Sequence, residues 1–430
     1  MSLPPNLSAA SFPSEILHVL RTLGAAGHRS WLVGGAPRDL ILGRSREGAD
    51  FDVATPARPE EVQRLFRRVI PTGIEHGTVT VLVGDHGVEV TTFRGEGAYV
   101  DGRRPSSVTF HGDVDEDLSR RDFTMNALAL DPLAGELRDP FGGQRDLAAR
   151  VIRAVGDPVT RFAEDGLRPL RAARFAAQLD FTLDRATHDA IRGSLSVTAR
   201  VAAERVHDEL EKLLAAQGAP RGLEILDETH LLSVILPEVD DHPRRAHAVA
   251  SASAASTPLA RTAALLHVLP AGTARAALER LRFSNQVRDD VTALIRVLGC
   301  LLDEPRPAPA PGVETRRWLA RVTQHLALEA LELWRADAET SGVAGAVDAA
   351  RDAAERAAAA LASRPALDVS RLALDGRGVM EVLGTPPGRH VGEALRHLLE
   401  VVLEHPERND RPSLVAAVQE WWGSRNPGVR

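Results

Sequence analysis

The spacing of apolar positions changes several times along the first part of the chain, and each change predicts an element. From Ser14 to Ala26, Ile16, Leu17, Val19, Leu20 and Leu23 recur at helical spacing, with Ser14 read as the N-cap. Trp31-Leu32-Val33 is a short continuous apolar run, read as a strand that ends at Gly34-Gly35. Ala36-Pro37-Arg38-Asp39 opens a helical pattern through Leu40, Ile41 and Leu42, with Pro37 in the first turn, where its missing N–H costs least. Asp50-Phe51-Asp52-Val53 alternates with period 2, which predicts Phe51 and Val53 in the core and both aspartates on the opposite face. Arg58 to Val69 reads as a helix. Thr78–Val83 and Val88–Phe93 read as strands, joined by Gly84-Asp85-His86-Gly87, and Glu89 faces away from Val88 and Val90. Residues 94–110, RGEGAYVDGRRPSSVTF, are polar and glycine-rich and predict a long loop beside the strands.

From Val151 onward the period becomes 3.6 and stays there. Thr160 to Leu179 reads as one helix, and Pro169 within it predicts a kink. Residues 304–312, EPRPAPAPG, read as a polyproline-like linker, and the alanine-rich stretch Gly345 to Ser363 as a helix by propensity. Trp421-Trp422, close to the end of an amphipathic helix, read as packing residues. An α+β head followed by helical domains is the architecture this pattern predicts.

Composition narrows that picture. A chain of 430 residues that is 44% hydrophobic and 26% charged can bury several cores. No apolar run approaches the roughly 20 residues of a bilayer span, and the N-terminus lacks the features of a signal peptide. The single cysteine, Cys300, excludes an internal disulfide and a cysteine-based zinc site. Together these features point to the cytoplasm. A formal charge of −7 excludes a chain that binds polyanions by bulk charge and leaves room for a local basic groove. Lys212 is the only lysine among 52 basic residues, so phosphate contacts fall to arginine, whose fork suits bidentate binding.

The candidate chemistry begins between Gly34 and Asp52. Two glycines before a helix start leave backbone N–H groups available to a phosphate chain. Asp50 and Asp52, roughly 6.5–7 Å apart along one strand face, can hold two divalent cations about 3.5–4 Å apart. Glu89 is a candidate third carboxylate. Farther on, Arg120-Arg121-Asp122-Phe123-Thr124-Met125-Asn126 offers two arginines, an acceptor for a ribose hydroxyl, and Asn126 read on the same helical face as Asp122. In Glu164-Asp165-Gly166-Leu167-Arg168, the i and i+3 side chains of Asp165 and Arg168 are read on one face. Cytosine and adenine each present an amino donor beside a ring-nitrogen acceptor, whereas uracil and guanine present a carbonyl beside a ring N–H. One Asp–Arg pair can match the first two and reject the others.

Gly34-Gly35-Ala36-Pro37-Arg38-Asp39 followed by Asp50-Phe51-Asp52 resembles the signature of the class II tRNA CCA-adding enzyme and bacterial poly(A) polymerase family. Residues 120–127, the Glu164–Arg168 segment and the run Ala203 to Leu214 resemble its later motifs. The resemblance implies a polymerase-beta-like nucleotidyltransferase head at 1–147, with an all-α neck at 148–215, body at 216–303 and tail at 304–430. It implies template-independent addition of CCA to the 3′ acceptor end of tRNA from CTP and ATP, with Asp50 and Asp52 holding two Mg²⁺ and Glu89 assisting. Gly34, Gly35 and Arg38 would seat the triphosphate, Arg121, Asp122 and Asn126 the sugar end, and Asp165, Arg168 and Arg171 the base. The loop at 94–110 would serve the addition of the final A. The alternatives are an A-adding enzyme, a poly(A) polymerase of the same family, or a non-catalytic RNA-binding relative. Some relatives carry a His-Asp metal-dependent phosphohydrolase site at the place of His267. Val268 stands where the aspartate would be, so His267 reads as a core or half-buried histidine.

Overall fold

The computed structural model describes residues 12–44, 51–74, 77–84, 86–96, 108–110, 112–299, 306–322 and 324–425. The chain divides into two compact units, Met1–Pro237 and Glu238–Arg430. Asp50, Tyr99, Cys300 and the centre of the 94–110 loop lie outside the described residues.

The first unit opens with helix α1 (Ser14–Ala25), which buries Ile16, Val19, Leu20 and Leu23 along one stripe. Its N-cap is Pro13 rather than Ser14, whose hydroxyl instead donates to Glu15 Oε2 at 3.1 Å. Strand β1 (Trp31–Val33) leads through Gly34 into α2 (Gly35–Ile41). Strand β2 (Asp52–Thr55) and helix α3 (Pro59–Leu65) follow. Then come β3 (Val69–Gly73), β4 (Thr78–Val83) and β5 (His86–Thr92). A separate small ladder pairs β6 (Arg94–Glu96) with β7 (Val108–Phe110). Helix α4 (Val114–Ser119) precedes the hairpin β8 (Ala129–Asp131) and β9 (Glu136–Arg138). The helix expected over 58–69 stops at Leu65, because Phe66 turns extended and β3 is drawn into the sheet by pairing with β4.

Seven strands form one sheet in the order β3-β4-β5-β2-β1-β8-β9. Only β2 and β5 run parallel; the other pairs are antiparallel. Strand β2 lies inside the sheet with both edges paired, and Val53, Ala54 and Thr55 are buried while Asp52 at its start is half-buried. Val53 aligns with Leu32 and Val90 on one face, while Ala54 joins Trp31, Val33, Ala129 and Phe93 in the core on the other. Asp52 therefore shares a face with Ala54, where a solvated face was expected, and it sits at the beginning of the strand. Phe51 is only half-buried.

Beyond α5 (Gly143–Ala149) the unit is helical apart from the two-residue parallel pair β10 (Val151–Ile152) and β11 (Thr182–Leu183). Helices α6 (Pro158–Glu164), α7 (Arg168–Leu179), α8 (Arg185–Gly193), α9 (Ala203–Ala215) and α10 (Ala219–Glu228) follow. The single helix expected over 160–179 is two. The chain breaks at Asp165-Gly166-Leu167, and Pro169 falls in the first turn of α7. No hydrogen bond is lost to it there, so the expected kink is replaced by a clean restart. A Cβ at Gly166 would lie 2.5 Å from the Val197 carbonyl oxygen, so the break runs against neighbouring backbone where only glycine fits.

In the second unit α11 (Arg245–Ala254), α12 (Pro258–Leu266), α13 (Ala271–Arg280) and α14 (Asn285–Leu298) lead to α15 (Val313–Val322) and α16 (Ala327–Thr340). Helices α11, α12, α14 and α16 pack together around Trp334, Leu333 and Leu265. Residues 306–312 lie within this unit, where Arg356 Nη1 donates to Pro309 O at 2.9 Å. The alanine-rich stretch is helix α17 (Ala346–Ala362). Helices α18 (Gly376–Leu383), α19 (Arg389–Glu404) and α20 (Arg411–Arg425) bury Val379, Leu398, Leu414 and Val418, with Trp421 packed on this core. No helix among the described residues is long and apolar enough to cross a membrane.

Candidate nucleotide-transfer site

Gly34 ends β1 with φ +73°, a backbone that favours glycine. A Cβ placed there would meet Asp52 Oδ2 and Arg121 Nη1, each at 3.3 Å. A glycine, a carboxylate and a guanidinium thus converge where the sheet gives way to α2. Asp52 aligns with Glu89 across the parallel β2–β5 pair, which puts the two acids side by side on one face. Glu89 is exposed. Arg121 Nη2 donates to the buried Asp117 at 3.3 Å, and its Nε is buried without a hydrogen-bond partner among the described residues. Burial alone would raise the Asp117 carboxyl, but Arg120 and Arg121 outweigh it and hold the group below its ordinary value.

A second line of bonds begins at α2. Arg38 grips Asp39 through Nε and Nη2 (2.9 and 3.0 Å) and donates through Nη1 to Asn126 Oδ1 at 2.8 Å. Asn126 Nδ2 donates to Asp122 Oδ1 at 3.0 Å, and Arg171 donates from Nε and Nη2 to Asp122 Oδ2 at 2.8 and 2.7 Å. Burial pushes the Asp122 carboxyl up, but the Arg171 charge and the bonds from Asn126 and Arg171 bring it to about 2. Arg171 continues to Glu209 at 3.4 Å, and Arg174 Nε donates to the same carboxylate at 2.6 Å. Burial lowers Arg174 from its ordinary value. Phe175 collects the guanidinium groups of Arg174, Arg38 and Arg171 at 3.6, 5.2 and 5.4 Å from its ring centre. Glu209, Phe175 and Arg205 were not singled out from the sequence. Glu209 and Arg205 lie in the run Ala203–Leu214, where their charges were the available signal.

Two arrangements differ from the sequence reading. Asp122 and Asn126 do meet, but not on one α-helix: Phe123 is extended, and a single tight turn at Thr124–Asn126 folds the amide back onto Asp122. Asp165 and Arg168 do not share a face, because the helix break separates them. Asp165 accepts from Arg205 Nη2 at 2.9 Å and from the Leu167 backbone N–H at 3.0 Å. Arg168 is buried and donates to Glu164, to Arg161 O at 2.8 Å and to Arg120 O at 2.9 Å. That last bond ties the start of α7 to the segment carrying Arg121.

Sequence comparison gives this geometry a context. Residues 30–153 match the poly A polymerase head domain, and residues 180–242 match the region described as the probable RNA and SrmB- binding site of polymerase A. The CCA-adding enzyme of Geobacillus thermodenitrificans is 37% identical over 408 residues, which cover 94% of this chain and 96% of that one. The chain belongs to the CCA-adding enzyme family. Another CCA-adding enzyme, that of Levilactobacillus brevis, is 37% identical over 412 residues, again 94% of this chain and 96% of the relative. The crystal structure of the Bacillus stearothermophilus CCA-adding enzyme in complex with CTP matches with TM-score 0.76 and 33% identity, covering 99% of this chain and all of that one. A Thermotoga maritima CCA-adding enzyme complexed with tRNA shares the fold at TM-score 0.64 and 19% identity. The mixed-sheet head and the helical remainder are those of a CCA-adding nucleotidyltransferase.

Proposed function

We propose that the chain extends the 3′ end of tRNA by C, C and A from CTP and ATP, releasing pyrophosphate, at the face formed by Gly34, Asp52, Glu89 and Arg121. The observation that carries this reading is the convergence at Gly34, where a Cβ would fill a cradle lined by Asp52 and Arg121. Family membership supports use of a divalent metal ion. The donor set fits a hard cation: Asp52 with Glu89 in register beside it, and Asp50 two residues before Asp52 in the sequence. Two Mg²⁺ ions held by Asp50 and Asp52, with Glu89 assisting, would lower the pKa of the RNA 3′-OH and neutralise the departing pyrophosphate.

The chain's own residues bind and orient. Gly34 and Gly35 let the triphosphate approach the backbone, and Arg38 and Arg121 supply its countercharge. Asp122, kept ionised by Arg171, accepts from the ribose, and Asn126 holds it between Arg38 and the sugar. Asp165 and Arg168 select the base from the two sides of the helix break. Offering its carboxylate to an amino group exchanges the Arg205 partner of Asp165 for the base, while Glu164 keeps Arg168 aimed. Arg171, committed to Asp122 and Glu209, serves the sugar side. We read residues 1–147 as head, 148–215 as neck, 216–303 as body and 304–430 as a tail that grips the acceptor arm, acting in the cytoplasm on tRNA.

The test is incubation of the protein with tRNA lacking its 3′ CCA and each nucleotide in turn. Two C residues from CTP alone, followed by one A once ATP is added, is the expected product. Incorporation of A alone, or of a long A tract, would replace this reading with the A-adding or poly(A) alternative.

A further inference from the structure

We propose that Asp117 is a positioning residue that links the seating of the triphosphate to the choice of base, given Arg121 at the triphosphate and Arg168 at the base as proposed above. Asp117 lies on α4 and is 1% exposed. A carboxylate buried to that extent is costly unless it is paired, and this one is paired twice over. Its Oδ1 accepts from Arg120 Nε and Nη2 at 2.9 and 2.7 Å, and its Oδ2 accepts from Arg121 Nη2 at 3.3 Å. The backbone N–H of Arg94, the first residue of β6, donates to it as well.

Two neighbouring guanidinium groups thus share one negative charge, which leaves the segment one positive charge in excess. The geometry presents that excess at Arg121. Its Nη2 is tied to Asp117, while its Nη1 stands at the Gly34 cradle, 3.3 Å from the place of a Cβ. A long side chain held by one prong of its fork loses little further freedom when the other prong meets a phosphate.

Arg120 carries the link toward the base. Asp117 pins its side chain, and its carbonyl oxygen accepts from Arg168 Nη2 at 2.9 Å. The preceding carbonyl, that of Ser119, accepts from Arg161 Nη2 at 2.8 Å. Both carbonyls lie at the C-terminal end of α4, where cations are favoured. One carboxylate therefore fixes the arginine at the cradle and, through one residue of backbone, the buried guanidinium of Arg168. Freeing Arg120 and Arg121 together lets both ends of the nucleotide site drift, and displacements of about an ångström are costly in transfer chemistry.

The tests use the full-length protein with Mg²⁺ and read two quantities, the affinity for inorganic pyrophosphate and the misincorporation of UTP and GTP into tRNA lacking CCA. Asp117→Asn removes the charge and keeps the shape; it should weaken pyrophosphate binding by roughly tenfold or more and raise misincorporation. Adding Asp117→Asn to Arg168→Ala should cost no further selectivity, because both changes act through the same guanidinium. Arg120→Ala leaves Arg121 on its carboxylate, so pyrophosphate affinity should hold while selectivity falls. A carboxylate that only supports the fold would lower Tm and leave both quantities as they are. Wild-type pyrophosphate affinity or wild-type selectivity in Asp117→Asn overturns the link, as do additive selectivity losses in the double variant. Should Asp117→Asn not fold, wild-type selectivity in Arg120→Ala overturns it alone. Failure of the site assignment itself is read separately: Arg121→Ala would then bind pyrophosphate as the wild type does, or Arg168→Ala would keep wild-type selectivity, and the link would fall with it.

Discussion

At Asp122, proposed above to bind the sugar, electrostatics and stability meet. Its carboxyl sits at about 2 in the folded chain against an ordinary 3.8. A depressed folded value contributes stability that is fully present above the unfolded pKa and disappears as pH falls toward the folded one. Wild-type protein should therefore lose on the order of 2 kcal/mol between about pH 4 and pH 2 from this group. Asp122→Asn should be less stable at neutral pH but lose less over that interval. Urea unfolding of both proteins at several pH values measures the difference, and parallel curves would refute it. Asp52→Ala should lower nucleotide transfer by about a thousandfold or more, since a group that holds the metal against developing charge is worth several kcal/mol. Binding of tRNA should persist, and single-turnover addition with Mg²⁺ checks the pair of expectations. The placing of Gly34, Asp52, Arg121 and Asp122 was legible because it depends on residue type and on strand or turn geometry close by. The Asp165–Arg205 pair and the Glu209 bridge were not, because each joins side chains whose meeting is decided by how separate helices pack.

Helix breaks and strand edges are where pattern alone misleads. Periodicity runs unbroken through Asp165-Gly166-Leu167, so the sequence reads as one helix, yet the backbone stops there to let α7 restart beside Val197. Pro169 was read as a defect, and it is a start signal. Gly166→Ala forces a Cβ against the Val197 carbonyl and should cost about 1–3 kcal/mol, the range for overpacking. Because the displaced backbone carries both Asp165 and Arg168, misincorporation of UTP and GTP should rise in the same variant. A thermal melt and a single-nucleotide incorporation assay report the two effects, and a loss of stability with selectivity intact would detach the break from base choice. Arg168→Ala should relax selectivity against UTP and GTP. Arg171→Ala should instead weaken all nucleotides alike, by roughly ten- to a hundredfold for one charged hydrogen bond. Equal selectivity loss in both variants would contradict this division of labour. The strand at Val69–Gly73 escaped the reading for a related reason. Its apolar positions are mostly exposed, and its conformation comes from pairing with β4 rather than from its own pattern.

At the scale of the whole molecule, the α+β head and the helical remainder were legible because the change of period at Val151 is sharp. The division at Pro237 was not, since it falls inside a helical stretch with no change of composition. Each unit has its own tryptophans: Trp31 is buried in the head core, while Trp318 and Trp334 pack 6.1 Å apart in the second unit. Ligands stabilise the part they bind, so CTP with Mg²⁺ should delay the unfolding step seen by Trp31 and leave the Trp318–Trp334 step in place. Tryptophan-substituted variants followed in urea separate the two signals, and a shift of both would show the units unfolding as one. The strand order has a further consequence, for the chain during its own synthesis. Strand β1 is flanked by β2 and β8, and β2 in turn leans on β5, so Asp52 stands between Val33, whose outer partner Ala129 is made later, and Glu89, which is also made later. Pairings between distant segments form slowly, and N-terminal segments emerge first from the ribosome. A nascent chain that has not yet exposed Ala129 thus carries Asp52 without the frame that aims it. Transfer competence therefore waits at least for β8, whose Ala129 pairs with the Val33 that stands beside Asp52.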